Sequence, residues 1–113
     1  MRILCVDDDG LVLAVTADLL RALDHEVIEA IGGSHAAQLI ANETPFDLLV
    51  TDIHMPGGPG GIELATLARE RQPGTPVIYF SGIEPMGPRD SKDPVLRKPC
   101  RLGELQQVIS TLV

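Results

Sequence analysis

Five short apolar runs alternate along the chain with stretches whose apolar positions recur every three or four residues. Residues 2–6 form the first run and are stopped by Asp7-Asp8-Asp9-Gly10. A short apolar run bounded in this way reads as a buried strand. Leu11, Val12, Val15, Leu19, Leu20 and Leu23 then fit one stripe of a helix over residues 11–23. Glu26 to Ala30 alternates as a half-buried or edge strand. Gly32-Gly33 interrupt it, and Ser34 reads as the N-cap of a helix over residues 35–42. Pro45 closes the next connection, and Phe46 to Thr51 is a third strand. Met55 to Gly61 holds too many breakers for any regular element and reads as a loop. Ile62, Leu64, Ala65, Leu67 and Ala68 give a helix to about Arg71, ended by Pro73-Gly74. Pro76 to Phe80 and Val95 to Arg97 are the fourth and fifth strands, and Leu102 to Leu112 is the last helix. Between those two strands, residues 82–94 carry three prolines and two glycines. That composition leaves almost no room for a joining helix, so a loop or a single turn is expected there.

Strands that alternate with helices predict a parallel sheet with helices on both faces. The length of 113 residues suits one domain, residues 1–113, with no repeat or linker. Aromatic residues are only 3% of the chain, so its core has to be aliphatic. The net charge of −7 argues against a nucleic-acid or anionic-membrane surface. The longest apolar stretches are strand-sized, far short of a membrane span. Met1-Arg2 leads directly into a strand, so no signal peptide is expected and the chain reads as cytoplasmic. The two cysteines share no metal-ligand spacing. Cys5 reads as a buried thiol and Cys100 as a small packing residue, without a disulfide.

The charges that end the apolar runs carry the chemistry. Asp7, Asp8 and Asp9 follow the first strand, Asp52 follows the third, and Lys98-Pro99 follows the fifth. Parallel α/β sheets bind ligands at such strand ends. Carboxylates gathered there repel one another and attract a hard cation, and a lysine among them suits phosphoryl transfer. The bland alternative for Asp7–Asp9 is a solvated strand end, and Asp9 fits it best, as an acid at a helix N-terminus. Ser81 has a turn residue as its plain alternative. His25 and His35 read as surface residues, and the side chain of His54 as pointing to solvent beside the acids. The loop glycines at 57, 58, 60 and 61 lack the Gly-Lys-Ser/Thr of a phosphate loop.

Val6-Asp7-Asp8-Asp9, Asp52-Ile53-His54-Met55-Pro56-Gly57, Ser81-Gly82 and Lys98-Pro99 stand in order, each at a strand end. Together they resemble the receiver domain of two-component response regulators, over essentially the whole chain. The resemblance implies a doubly wound, flavodoxin-like five-stranded parallel sheet of order 2-1-3-4-5. It implies a phosphorelay function: Asp52 takes a phosphoryl group from a histidine kinase or phosphotransfer protein, with Mg²⁺ or Mn²⁺ bound. The metal ligands it implies are Asp8 and Asp52, Asp7 through water, and the backbone carbonyl of His54. Lys98 would pair with the phosphoryl oxygens and the Ser81 hydroxyl would bond one of them. Gly82 would keep the approach open, and a cis Lys98–Pro99 bond would turn the lysine inward. Such a chain is no enzyme with turnover of its own beyond self-catalysed phosphotransfer and dephosphorylation. Its partners would be the phosphodonor and a downstream protein, with neither nucleic acid nor membrane.

Three departures from the family fall on its usual signalling surface. Val95 stands where a Tyr or Phe usually swings inward, and Cys100 where Phe usually follows Lys-Pro. The fourth helix is expected to be shortened or missing, which would leave residues 82–94 to reorder on phosphorylation. Tyr-Phe-Ser-Gly at 79–82 resembles a receiver subgroup with a Phe-Ala-Thr-Gly type motif and a modified fourth helix. The stretch from Met55 to Leu64 resembles receivers of hybrid histidine kinases. One alternative is a receiver-like interaction module that works without phosphorylation. Another is a phosphatase resembling the haloacid dehalogenases, which needs a second aspartate where this chain has His54.

Overall fold

The chain runs β1 (Arg2–Asp7), α1 (Gly10–Ala22), β2 (Glu26–Ile31), α2 (Gly33–Ala41), β3 (Leu48–Asp52), α3 (Gly61–Arg71), β4 (Val77–Ser81), β5 (Val95–Arg97), α4 (Leu102–Leu112). The structure, a computed structural model, describes residues 1–81, 93–98 and 101–112. The expected loop at 82–94 falls almost wholly outside the described residues. So do Gly82, the Lys98–Pro99 bond and Cys100. The five strands pair in parallel in the order β2-β1-β3-β4-β5, as the resemblance implied.

Alternating residues divide the sheet between two aliphatic cores. Leu4, Val6, Leu49, Val77 and Tyr79 face α2 and α3, where Ala36, Ile40, Leu64, Ala65 and Ala68 are buried. Ile3, Cys5, Leu48, Val50, Ile78 and Phe80 face α1 and α4, which supply Leu13, Leu20, Leu105 and Ile109. Near-continuous apolar strands follow from burial on both faces. Among the described residues, no helix is long and apolar enough to cross a membrane.

Four expectations need correction. The α1 stripe is rotated: Leu13, Ala17 and Leu20 are buried, whereas Leu11 and Val15 are 76% and 54% exposed. The apolar positions of α1 cover more than one face, so periodicity did not single out the face that packs. The N-cap of α2 is Gly32, with φ +86°, and Ser34 lies inside the first turn without a capping bond. Glycine adopts that backbone conformation freely, and the Gly32 N–H is held by the Asp7 carbonyl at 2.9 Å. β3 starts at Leu48, because Asp47 leaves the ladder. Its N–H donates to the Arg2 carbonyl at 2.7 Å and its Oδ2 accepts the Arg2 N–H at 2.8 Å. β4 runs from Val77 to Ser81, one residue later than expected. Pro76 has no N–H to give and joins only through its carbonyl, which accepts from Leu49 N–H at 3.1 Å.

Candidate functional site

The C-terminal ends of β1, β3, β4 and β5 lie side by side, and each brings polar groups, two of them from β1. Val6 pairs with Thr51, Asp52 with Phe80, and Ser81 with Arg97. Asp7, Asp8 and Asp52 offer carboxylate oxygens that all lie within 4.8 Å of one another. Asp7 is buried, Asp52 half-buried and Asp8 exposed. Lys98 Nζ enters this cluster from β5. It donates to Asp7 Oδ2 at 2.7 Å and lies 3.3 Å from Asp52 Oδ2. A backbone bond from Lys98 N–H to the Ser81 carbonyl at 2.9 Å ties the lysine to the serine beside it. Ser81 is buried inside β4, so it is a strand residue and not a turn residue.

Local sequence fixes each acid differently. Asp9 caps α1: its Oδ1 accepts from Leu11 N–H at 2.9 Å and Val12 N–H at 3.2 Å. It thus takes the capping role expected of it and stands apart from the cluster. Asp7 Oδ1 accepts the Asp9 N–H at 3.0 Å, so each of its oxygens already has a protein partner. Asp52 ends β3, with the fully buried Thr51 hydroxyl donating to its carbonyl at 2.9 Å. After it the chain turns sharply into α3. Ile53 N–H donates to Phe80 O at 3.1 Å and Gly61 N–H to Ile53 O at 2.9 Å. Ile53 and Met55 are buried, and His54 between them is exposed, as expected of it.

Charge is concentrated in this pocket. Burial pushes the Asp52 carboxyl above its ordinary value, and Asp7 and Asp8 add to the rise against the opposing pull of Lys98. Burial alone would lower the Lys98 ammonium. The hydrogen bond and charge of Asp7, followed by those of Asp52, outweigh it and hold the ammonium above its ordinary value. Cys5 lies behind the acids, and burial first, then Asp7 and Glu29, push its thiol up to about 12. It is inert. The donor set is three hard oxygen groups with one ammonium among them. It fits a small divalent cation and offers no soft ligand.

Two features lay outside the sequence reading. An apolar groove of about 350 Å³ runs along the exposed side of α1 to the pocket, lined by Leu11, Val15, Leu19, Phe80 and Lys98. The misassigned α1 stripe was its trace in the sequence. Second, Arg69 of α3 holds Asp93 through two bonds of 2.8 and 2.7 Å and donates Nε to the Thr75 carbonyl at 3.0 Å. It thereby anchors the start of β5. No periodicity links those two residues.

Known proteins resemble this chain in sequence and fold. The chain is 33% identical to the response regulator receiver protein CpdR of Brucella abortus, over 99% of this chain and 96% of that one. Several other curated relatives are longer, and the chain spans half of them or less. The crystal structure of the receiver domain from the hybrid histidine kinase CckA superposes with TM-score 0.82 at 33% identity, covering 99% and 98% of the two chains. That of the response regulator TrrA from Thermotoga maritima, in complex with Mg²⁺-BeF, superposes with TM-score 0.85 at 25% identity, covering 99% and 98%. The response regulator receiver domain family matches residues 3–110, and the chain belongs to that family.

Proposed function

We propose that the 113 residues form one receiver domain whose Asp52 accepts a phosphoryl group from a histidine kinase or phosphotransfer protein. The observation that carries this reading is the Lys98 ammonium, 3.3 Å from a carboxylate that two other acids surround. In this reading an Asp52 oxygen attacks phosphorus. The bond to the donor's imidazole nitrogen breaks, and that nitrogen keeps the electron pair. A carboxylate is a weak nucleophile, so the reaction depends on an activated donor and on neutralised charge. Lys98 leaves Asp52 to pair with the phosphoryl oxygens, and the Ser81 hydroxyl donates to one of them. Asp8, Asp52 and the His54 carbonyl, with Asp7 through water, would hold Mg²⁺ or Mn²⁺, which would supply neutralisation of the remaining charge.

The phosphodonor docks on the groove beside α1, which is apolar and opens onto Lys98. The working compartment in this reading is the cytoplasm. The missing aromatic at Val95 favours an output by some route other than a ring swing, and hence a downstream partner that reads Ser81 and Lys98. Incubation with acetyl phosphate followed by intact-mass analysis tests the reading. One phosphoryl group is expected with Mg²⁺, and none with a chelator or in Asp52→Asn. Equal labelling of wild type and Asp52→Asn would favour the module that works without phosphorylation at this site.

A further inference from the structure

Between Val50 and Asp52 the apolar run of β3 is interrupted by Thr51, which is 0% exposed. A β-branched residue suits a strand, but valine would fill the position with nearly the same shape and no hydroxyl to satisfy. A buried hydroxyl costs free energy unless it is bonded. That of Thr51 finds its partner on the next residue, where it donates to the Asp52 carbonyl at 2.9 Å.

That carbonyl stands where the sheet lets go of the chain. Asp52 pairs with Phe80 of β4, but the ladder between β3 and β1 ends at Thr51 and Val6, one residue earlier. On the side of Asp7 and Asp8, Asp52 therefore lies past the last rung. The surroundings of its carbonyl are closed by protein. A Cβ on Gly61 would stand 2.3 Å from that oxygen and 3.0 Å from the Thr51 methyl carbon. Water has little room to replace the hydroxyl as a donor. The carbonyl and the carboxylate of Asp52 share one Cα. A bond that fixes this peptide also fixes the direction of Cβ. The carboxylate it directs lies 3.3 Å from Lys98 Nζ and within 4.8 Å of the Asp7 and Asp8 oxygens.

We propose that Thr51 is a positioning residue for phosphoryl transfer: its hydroxyl holds the Asp52 backbone so that the carboxylate stays aligned with Lys98 for attack. The proposal rests on the phosphoacceptor reading above. Rate responds steeply to alignment, and a misplacement of about 1 Å can cost about a hundredfold. Losing one backbone bond, with the strand still paired to β4, is expected to cost less, about tenfold.

Time courses of acetyl phosphate labelling at saturating Mg²⁺, read by intact mass, test it on wild type, Thr51→Val, Thr51→Ser, Thr51→Ala and Asp52→Asn. Urea midpoints are measured on the same samples. Thr51→Val is expected to label about tenfold more slowly than wild type. Thr51→Ser keeps the hydroxyl and should label within about twofold of wild type, although it loses the methyl group that packs against Gly61 and with it some stability. Thr51→Ala should be as slow as Thr51→Val. Serine and alanine differ only in the hydroxyl, so that pair decides the matter if Thr51→Val does not fold. A Thr51→Val rate equal to wild type, or rates that follow the urea midpoints and not the hydroxyl, would mean that Thr51 only packs the strand. Either result would overturn this proposal alone, because Asp52 would still be labelled. Wild type that takes no label, or Asp52→Asn that is labelled equally, removes the phosphoacceptor reading and this proposal with it.

Discussion

Replacing Lys98 with methionine separates two effects of its ammonium. Methionine keeps a comparable stem and removes the charge. In the folded chain Nζ lies 2.7 Å from Asp7 Oδ2, and the side chains of Lys98 and Asp7 are 22% and 6% exposed. Removing one partner of a buried ion pair costs about 3–5 kcal/mol. Lys98 is partly in water and Asp7 keeps the Asp9 N–H, so the expected loss is smaller, about 2–3 kcal/mol. With a urea dependence of about 1.5 kcal/mol/M, the unfolding midpoint in a chelator should fall by about 1.3–2 M. Cation binding should move the other way. The ammonium and a divalent cation compete for the same carboxylates, so Lys98→Met should bind Mg²⁺ more tightly than wild type. Saturating Mg²⁺ should then recover part of the lost midpoint. Acetyl phosphate labelling should nevertheless fall, because the phosphoryl oxygens lose their cationic partner. Urea melts at several Mg²⁺ concentrations read both effects. A variant as stable as wild type in chelator, or one that binds Mg²⁺ more weakly, would refute the charge balance described here.

Asp52→Asn should stabilise the metal-free protein near neutral pH. The folded carboxyl titrates above its ordinary 3.8, so folding is favoured by its protonation, and that stability is lost as pH rises through the folded value. The gain from asparagine should therefore shrink as pH falls toward 3.8; chemical denaturation across that range checks it, and a gain that grows toward acid pH contradicts the sign. Arg69→Lys replaces a fork that makes two bonds to Asp93 with a single ammonium, and should cost about 1 kcal/mol in thermal unfolding. No change there would mean that the start of β5 is held by other contacts. Leu13→Ala should cost about 2–5 kcal/mol and Leu11→Ala under about 0.5 kcal/mol, since Leu13 is buried and Leu11 is 76% exposed. The reverse ranking would show that α1 packs through its other face.

Strand and helix order were legible because each strand is a short apolar run stopped by charge, proline or glycine. The site was legible for a related reason: Asp7, Asp8, Asp52 and Lys98 are themselves the charges that end those runs, so the fold had to gather them. The α1 face was not legible, because Leu11 and Val15 are as apolar as Leu13 and Ala17, and only packing against β1 and α4 distinguishes them. The cap of α2 was misplaced because a serine next to two glycines gives the stronger capping signal. Its actual start depends on the Asp7 carbonyl, which lies far away in sequence. The Arg69–Asp93 anchor is likewise a tertiary event with no local signature.

The most direct test of the central claim is chemical mapping of the modified residue. Protein incubated with acetyl phosphate and Mg²⁺ is reduced with borohydride, which converts an aspartyl phosphate to homoserine, and is then cut with trypsin. Arg21 separates Asp7, Asp8 and Asp9 from Asp52, so Asp52 falls in a different peptide from the other two acids of the cluster. Homoserine at position 52 alone, absent without Mg²⁺, is the predicted result. Homoserine at position 7 or 8, or an unmodified position 52 in protein that carries phosphate, would contradict it.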